Sequence, residues 1–176
     1  MSDPAPDEFM EIFLQPGECY FGDAETRIRT LLGSCVAITM WHPKKKVGGM
    51  CHYLLPTRVT SADAPLEGRF GDEAMFMLLR EARRLGCRPK EFDYKIFGGA
   101  SMNARGKSEV ARVNIGARNA EIADLLLDEL GVRSKGRDVG GACARSIMLD
   151  NWSGDVWVRT TLDSDPALQQ ELPVSE

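Results

Sequence analysis

Two apolar runs divided by a short polar turn constrain this chain more than any other feature. Residues Ile28 to Trp41 are mostly apolar, with several β-branched side chains, and are interrupted at Gly33-Ser34. His42-Pro43-Lys44-Lys45 is polar, and Lys46 to Leu55 is apolar again and ends at Pro56. Runs of this kind flanking a turn read as a β-hairpin, so the fold has to be built around a sheet. Shorter strands are expected near Ile12 to Leu14, with a turn at Pro16-Gly17, and at Phe92 to Ile96, closing at Gly98-Gly99. Three more are expected at Val132 to Asp138, Ala144 to Leu149 and Val156 to Thr161, the last two joined through Asn151-Trp152-Ser153-Gly154.

Two segments carry a helical period instead. Met75, Leu78, Leu79, Ala82 and Leu85 recur at helical spacing, with Asp72 placed to cap the start and Gly86 to end it. Ile122, Ala123, Leu126, Leu127 and Leu130 form a second stripe, on a helix from about Arg118 to Leu130 closed by Gly131. Thr57 to Gly71 and Ser101 to Arg112 read as polar connections. Six to eight strands dominated by hairpins, with two helices, imply an α/β sandwich of mixed or antiparallel strands.

The 176 residues point to one domain, expected over 9–161, with a loose leader at 1–8 and a polar, mobile tail at 162–176. Hydrophobic residues at 43% and charged residues at 27% exclude a largely disordered chain. A net charge of −4 makes a general nucleic-acid binder a poor reading. No apolar run reaches the roughly 18 residues of a membrane span, and the acidic start MSDPAPDEF has no secretory pattern. The expectation is a cytoplasmic protein without membrane insertion.

The five cysteines are odd in number and include no CxxC pair, so neither a disulfide framework nor a structural zinc site is expected. Only His42 and His52 can supply an imidazole. Cys35 and His52 lie on the two arms of the expected hairpin. A two-residue loop at Pro43-Lys44 sets Cys35 directly opposite His52. A looser register sets His52 opposite Ala37, which points the same way as Cys35. Either way a thiol and an imidazole share one face. The imidazole can accept the thiol proton and give a thiolate–imidazolium pair, which predicts a reactive, low-pKa Cys35. Attack on a carboxamide builds an oxyanion for backbone N–H groups to hold, with Gly33 and Gly48-Gly49 allowing close approach. Cys51, beside His52, is a rival nucleophile, but neighbours on a strand face opposite ways. His42 reads as a solvated turn residue. Against all this stands coincidence: with five cysteines, one falling near a histidine is commonly structural.

The strings LLGSCVAITMWHP and GGMCHYLLP, followed in order by KIFGGASM, IGARN and DVGGACAR, resemble the CheD family of chemotaxis proteins, the chemoreceptor glutamine deamidases. The resemblance covers about Phe13 to Arg159. It implies a three-layer α/β sandwich similar to the deamidase domain of cytotoxic necrotizing factors. It implies hydrolysis of selected chemoreceptor glutamines to glutamate, with no cofactor or metal. Cys35 would be the nucleophile and His52 the general base and acid. The family's third residue is a threonine six positions before the cysteine. Arg29 stands there in this chain, and Thr30 follows it, so Thr30 is the third candidate, brought to the right face by a bulge near Gly33. The implied partners are the helical cytoplasmic region of chemoreceptors and a CheC-type phosphatase. The mismatch at Arg29 sustains an alternative, a non-catalytic adaptor on receptors or phosphatase. A thiol amidohydrolase acting on a small amide is a third option.

Overall fold

The computed structural model of the chain describes residues 2–101 and 114–161. The elements run β1 (Met10–Phe13), β2 (Cys19–Gly22), β3 (Thr26–Leu32), β4 (Val36–His42), β5 (Val47–Tyr53), α1 (Gly71–Arg84), β6 (Asp93–Gly98), α2 (Ile115–Glu129), β7 (Ser134–Val139), β8 (Ala144–Asp150) and β9 (Asp155–Thr161). The strands form two sheets, ordered β1-β3-β8-β9 and β2-β5-β4-β6-β7. Both are mixed, because β1 pairs parallel to β3 and β6 parallel to β7, while the other pairings are antiparallel. The described residues thus form an α/β protein with two α-helices and mixed sheets, as expected.

The five-stranded sheet is the middle layer. One of its faces meets the helices: Val36, Ile38, Met40, Cys51 and Tyr53 pack with Ala74, Met75 and Leu78 of α1 and Ala123 and Leu127 of α2. Its other face meets the four-stranded sheet, with Ala37, Met50 and Phe97 against Ile28, Leu32, Ile147 and Leu149. Being covered on both sides, β4 and β5 read as continuous apolar runs. β3 is covered on one side and alternates buried and half-buried residues throughout.

This layering corrects the hairpin expectation. The run Ile28 to Trp41 is two strands in different sheets, and Gly33-Ser34-Cys35 is the crossing between them. The hairpin is β4–β5, turned over four residues at 43–46 rather than two, with His52 opposite Ala37. His42 is not a solvated turn residue. It is 5% exposed at the end of β4, accepts backbone N–H groups of Lys44 and Lys45 at Nδ1, and meets Phe92 edge-on.

Among the described residues there are nine strands, against the six to eight expected. Besides the division of Ile28 to Trp41 into β3 and β4, the addition is β2, four half-buried residues on the edge of the middle sheet, too short to announce itself. Helix starts also differ. Phe70 stands at the N-cap of α1, while Asp72 lies in the first turn with its carboxylate taken by the Thr57 hydroxyl and the Glu73 N–H. α2 begins at Ile115, capped by the Asn114 side chain accepting from Ala117 N at 3.0 Å. It ends where expected, with Gly131 at φ +67°. Residues 102–112 of the polar connection and all of 162–176 lie outside the described residues. Among the described residues, no helix is long and apolar enough to cross a membrane.

Candidate active site

The regular pleat of β3 turns Thr26, Ile28, Thr30 and Leu32 inward and Arg27 and Arg29 outward. Arg29 pairs with Glu11 at 2.9 Å. Thr30 is 1% exposed, and its hydroxyl oxygen lies 2.7 Å from His52 Nδ1 across the gap between the sheets. The pairing of β3 with β8 runs unshifted from Arg27 to Leu32, so ordinary alternation and not a bulge brings Thr30 to this face.

This contact determines the state of the imidazole. The Thr30 hydroxyl donates its one proton to the carbonyl oxygen of Leu14 at 2.8 Å. Toward His52 it can therefore only accept, so the ring proton sits on Nδ1 and Nε2 carries a lone pair. His52 is 2% exposed, and Nε2 has no hydrogen-bond partner among the described residues. Burial pushes the imidazolium pKa down to about 4, so the ring is a neutral, oriented base.

Cys35 directly precedes β4 and is half-buried, packed against the cluster between the two sheets. Since Ala37 faces His52, Cys35 is the diagonal neighbour of His52 on the same face. No hydrogen bond joins Cys35 to Nε2, which has no partner. Burial raises the thiol pKa, while the residue's own backbone N–H pulls the other way. The expected low-pKa thiol is thus corrected: desolvation dominates, and the resting pair is neutral. Cys51 faces the opposite side, buried against the helices with its thiol on Ile38 O at 3.8 Å.

The turn that carries Cys35 is held by all three of its carbonyls. Ala100 N donates to Gly33 O at 2.9 Å, Gly99 N to Cys35 O at 2.8 Å, and Asn119 Nδ2 to Ser34 O at 3.2 Å. Gly98 has φ +105°, and a Cβ there would stand 2.3 Å from Cys35 O. The glycines serving this turn are therefore Gly98 and Gly99. Gly48 and Gly49 lie toward the other end of β5 from His52, where a Cβ would strike Met40 O or Tyr20 O; they serve strand packing. Asn119 escaped sequence reading, although a polar residue on the buried stripe Gly116, Ala120, Ala123 and Leu127 was a visible signal. A groove of about 700 Å³ along Phe9, Met10, Tyr20, Phe21 and Leu85 contains none of the three candidates.

A thiol sharing a face with an oriented imidazole is the constellation that cysteine-dependent hydrolases use as a class. Comparison with known proteins narrows this. The family profile described as "CheD chemotactic sensory transduction" matches residues 54–160. A relative from Chromobacterium violaceum, named probable chemoreceptor glutamine deamidase CheD 1, is 44% identical over 164 residues, which is 93% of this chain and 84% of the relative. One from Dechloromonas aromatica, named probable chemoreceptor glutamine deamidase CheD 3, is 44% identical over 94% of this chain and 96% of its own length. One from Pseudomonas syringae pv. syringae, also named a probable chemoreceptor glutamine deamidase CheD, is 44% identical over 85% of this chain and 84% of its own. The chain belongs to the CheD family. The profile match begins just beyond His52, but a match to 93% of the chain necessarily spans residues 30–52.

Proposed function

We propose that this protein is a protein-glutamine deamidase that converts selected chemoreceptor glutamines to glutamate, with Cys35 as nucleophile, His52 as general base and acid, and Thr30 as the residue that orients His52. The observation that carries the site assignment is the Thr30–His52 contact. It fixes the tautomer with Nε2 unprotonated, on the face that Cys35 shares. The names of the relatives supply the substrate class. Residues 9–161 form the deamidase domain, acting in the cytoplasm on the receptors' helical region and binding a CheC-type phosphatase as a further partner. Likeness to the deamidase domain of cytotoxic necrotizing factors belongs to the same reading.

The chemistry proceeds from a neutral pair. As sulfur attacks the side-chain amide carbon, its proton passes to His52 Nε2, and Thr30 accepts from Nδ1–H throughout. The carbonyl oxygen becomes an oxyanion, which a backbone N–H of the Cys35 turn can stabilise. The imidazolium then protonates the departing nitrogen, ammonia leaves and a thioester remains. Water, losing a proton to Nε2, attacks the thioester, and collapse expels the thiolate, which recovers its proton. The net reaction consumes one water and yields glutamate and ammonia. No redox partner or metal enters the balance. The adaptor alternative drew on Arg29, whose side chain is turned away from His52 and paired with Glu11.

The test mixes wild type and Cys35→Ala with a chemoreceptor cytoplasmic fragment and reads glutamine-to-glutamate conversion by mass spectrometry. Conversion by wild type alone is expected. Equal conversion by Cys35→Ala removes the nucleophile assignment, and binding without conversion by wild type supports the adaptor.

A further inference from the structure

Asn119 is wholly buried on α2, and its side-chain amide is bonded to backbone outside the helix. Its two Nδ2 protons are spent on two carbonyls from different parts of the site. One is Ser34 O at 3.2 Å, in the turn that carries the thiol; the other is Leu54 O at 2.7 Å, just beyond the strand that carries His52. Exchanging the amide oxygen and nitrogen would set Oδ1 against two carbonyl oxygens, so the orientation is determined by its partners. Oδ1 itself is buried and has no partner among the described residues.

The effect on Cys35 follows from peptide geometry. In a trans peptide the C=O and the next N–H point in opposite directions. With Ser34 O drawn toward α2, the Cys35 N–H is directed away from it. Neighbouring restraints prevent rotation of that peptide, since Gly33 O and Cys35 O are held by Ala100 N and Gly99 N. The segment supplying those donors is itself wedged under α2: a Cβ on Gly116 would stand 2.4 Å from Gly99 O and 2.6 Å from Ala100 O. Gly116 and Asn119 are three apart, hence on one side of the helix. A nucleophile's own N–H is a proven donor to a tetrahedral oxyanion.

We propose that Asn119 is a positioning residue for the deamidation: it clamps the Ser34–Cys35 peptide to the end of β5 so that the Cys35 N–H faces the oxyanion formed on the substrate amide. This rests on the assignment of Cys35 as nucleophile. Asn119 touches no reacting atom and acts through the peptide it holds.

The inference separates two properties of one cysteine. Alkylation by iodoacetamide forms no oxyanion and needs only the sulfur and its base, whereas deamidation needs the N–H as well. Full-length wild type, Cys35→Ala, Asn119→Ala and the volume-matched, uncharged Asn119→Thr are compared on a chemoreceptor cytoplasmic fragment. Expected for both Asn119 variants is a fall in kcat of about 10- to 100-fold, less than the roughly 100- to 1,000-fold lost when an oxyanion donor is removed outright, because the Cys35 N–H is misdirected rather than deleted. KM and the Cys35 alkylation rate stay within about twofold of wild type. If Asn119→Ala does not fold, Asn119→Thr, which is uncharged, keeps the volume and has no amide to span the two carbonyls, carries the test. A kcat within twofold of wild type overturns the proposal. So does an alkylation rate that falls in parallel with kcat, which would mark a general loss of structure. An inactive wild type, or an active Cys35→Ala, instead removes the nucleophile assignment and the inference with it.

Discussion

Thr30 and His52 belong to different sheets, and the 2.7 Å contact between the Thr30 hydroxyl and His52 Nδ1 is a buried hydrogen bond between them. Because the same hydroxyl donates to Leu14 O, the contact has a direction: imidazole N–H to threonine oxygen. Replacing Thr30 with valine keeps the shape and leaves both Nδ1–H and Leu14 O unsatisfied. Each such buried loss costs about 1–3 kcal/mol, so the melting temperature should drop by several degrees. With the tautomer no longer held, kcat should fall about 10- to 100-fold with KM little changed. Arg29→Thr, outside the site, should leave deamidation within about twofold of wild type. A gain in activity in Arg29→Thr would point to Arg29 as the position that matters and sink the Thr30 assignment.

The neutral state of Cys35 can be read from its reactivity. Burial holds the thiol above its ordinary value, so there is little thiolate at neutral pH. In the free protein, iodoacetamide alkylation of Cys35, followed by peptide mass mapping, should keep accelerating as pH rises through 9. A rate already at its plateau at pH 7 would mean a preformed thiolate–imidazolium pair.

His52 predicts a pH-dependent stability. Its folded pKa of about 4 lies below the ordinary value of 6.5, so in that interval the unfolded chain binds the extra proton. Stability from this group is therefore complete above about pH 6.5 and is lost as pH falls toward 4, by about 3 kcal/mol at most. Urea midpoints for wild type and His52→Gln, compared at pH 7.5, 5.5 and 4.5, isolate this contribution from the carboxylates common to both. Parallel curves for the two proteins would rule it out.

Gly98 and Gly86 offer a matched pair. Both have positive φ, but a Cβ on Gly98 meets Cys35 O at 2.3 Å, while one on Gly86 meets nothing within 4 Å. Gly86→Ala should cost only the left-handed backbone penalty, about 1–2 kcal/mol. Gly98→Ala should cost more and also lower kcat, because relieving the clash displaces the Cys35 turn. Thermal melts and the deamidation assay together check this, and equal effects of the two substitutions would contradict it.

Much of the architecture was legible because it is local. The stripe from Met75 to Ala82, the glycine stop at Gly131 and the turn at Asn151 to Gly154 each follow from neighbours a few residues apart. Parity alone placed Cys35 and His52 on one face and Cys51 on the other. The helix starts and β2 were less legible, since one cap lies outside the apolar stripe and four residues carry no clear period. The crossing at Gly33 to Cys35 was hidden inside a single apolar run. Apolarity reports that a strand is covered on both sides, not which sheet it belongs to.

By itself, then, the sequence determined the kinds of element, the pairing of the hairpin faces and the short list of reactive groups, all set by spacing along the chain. Only the tertiary structure decided which of them lie together. Thr30 meets His52 because two sheets stack, Asn119 reaches Ser34 because a helix lies across the turn, and the neutral state of Cys35 and His52 follows from burial. These are relations between segments distant along the chain, and desolvation exists only once those segments have closed on one another.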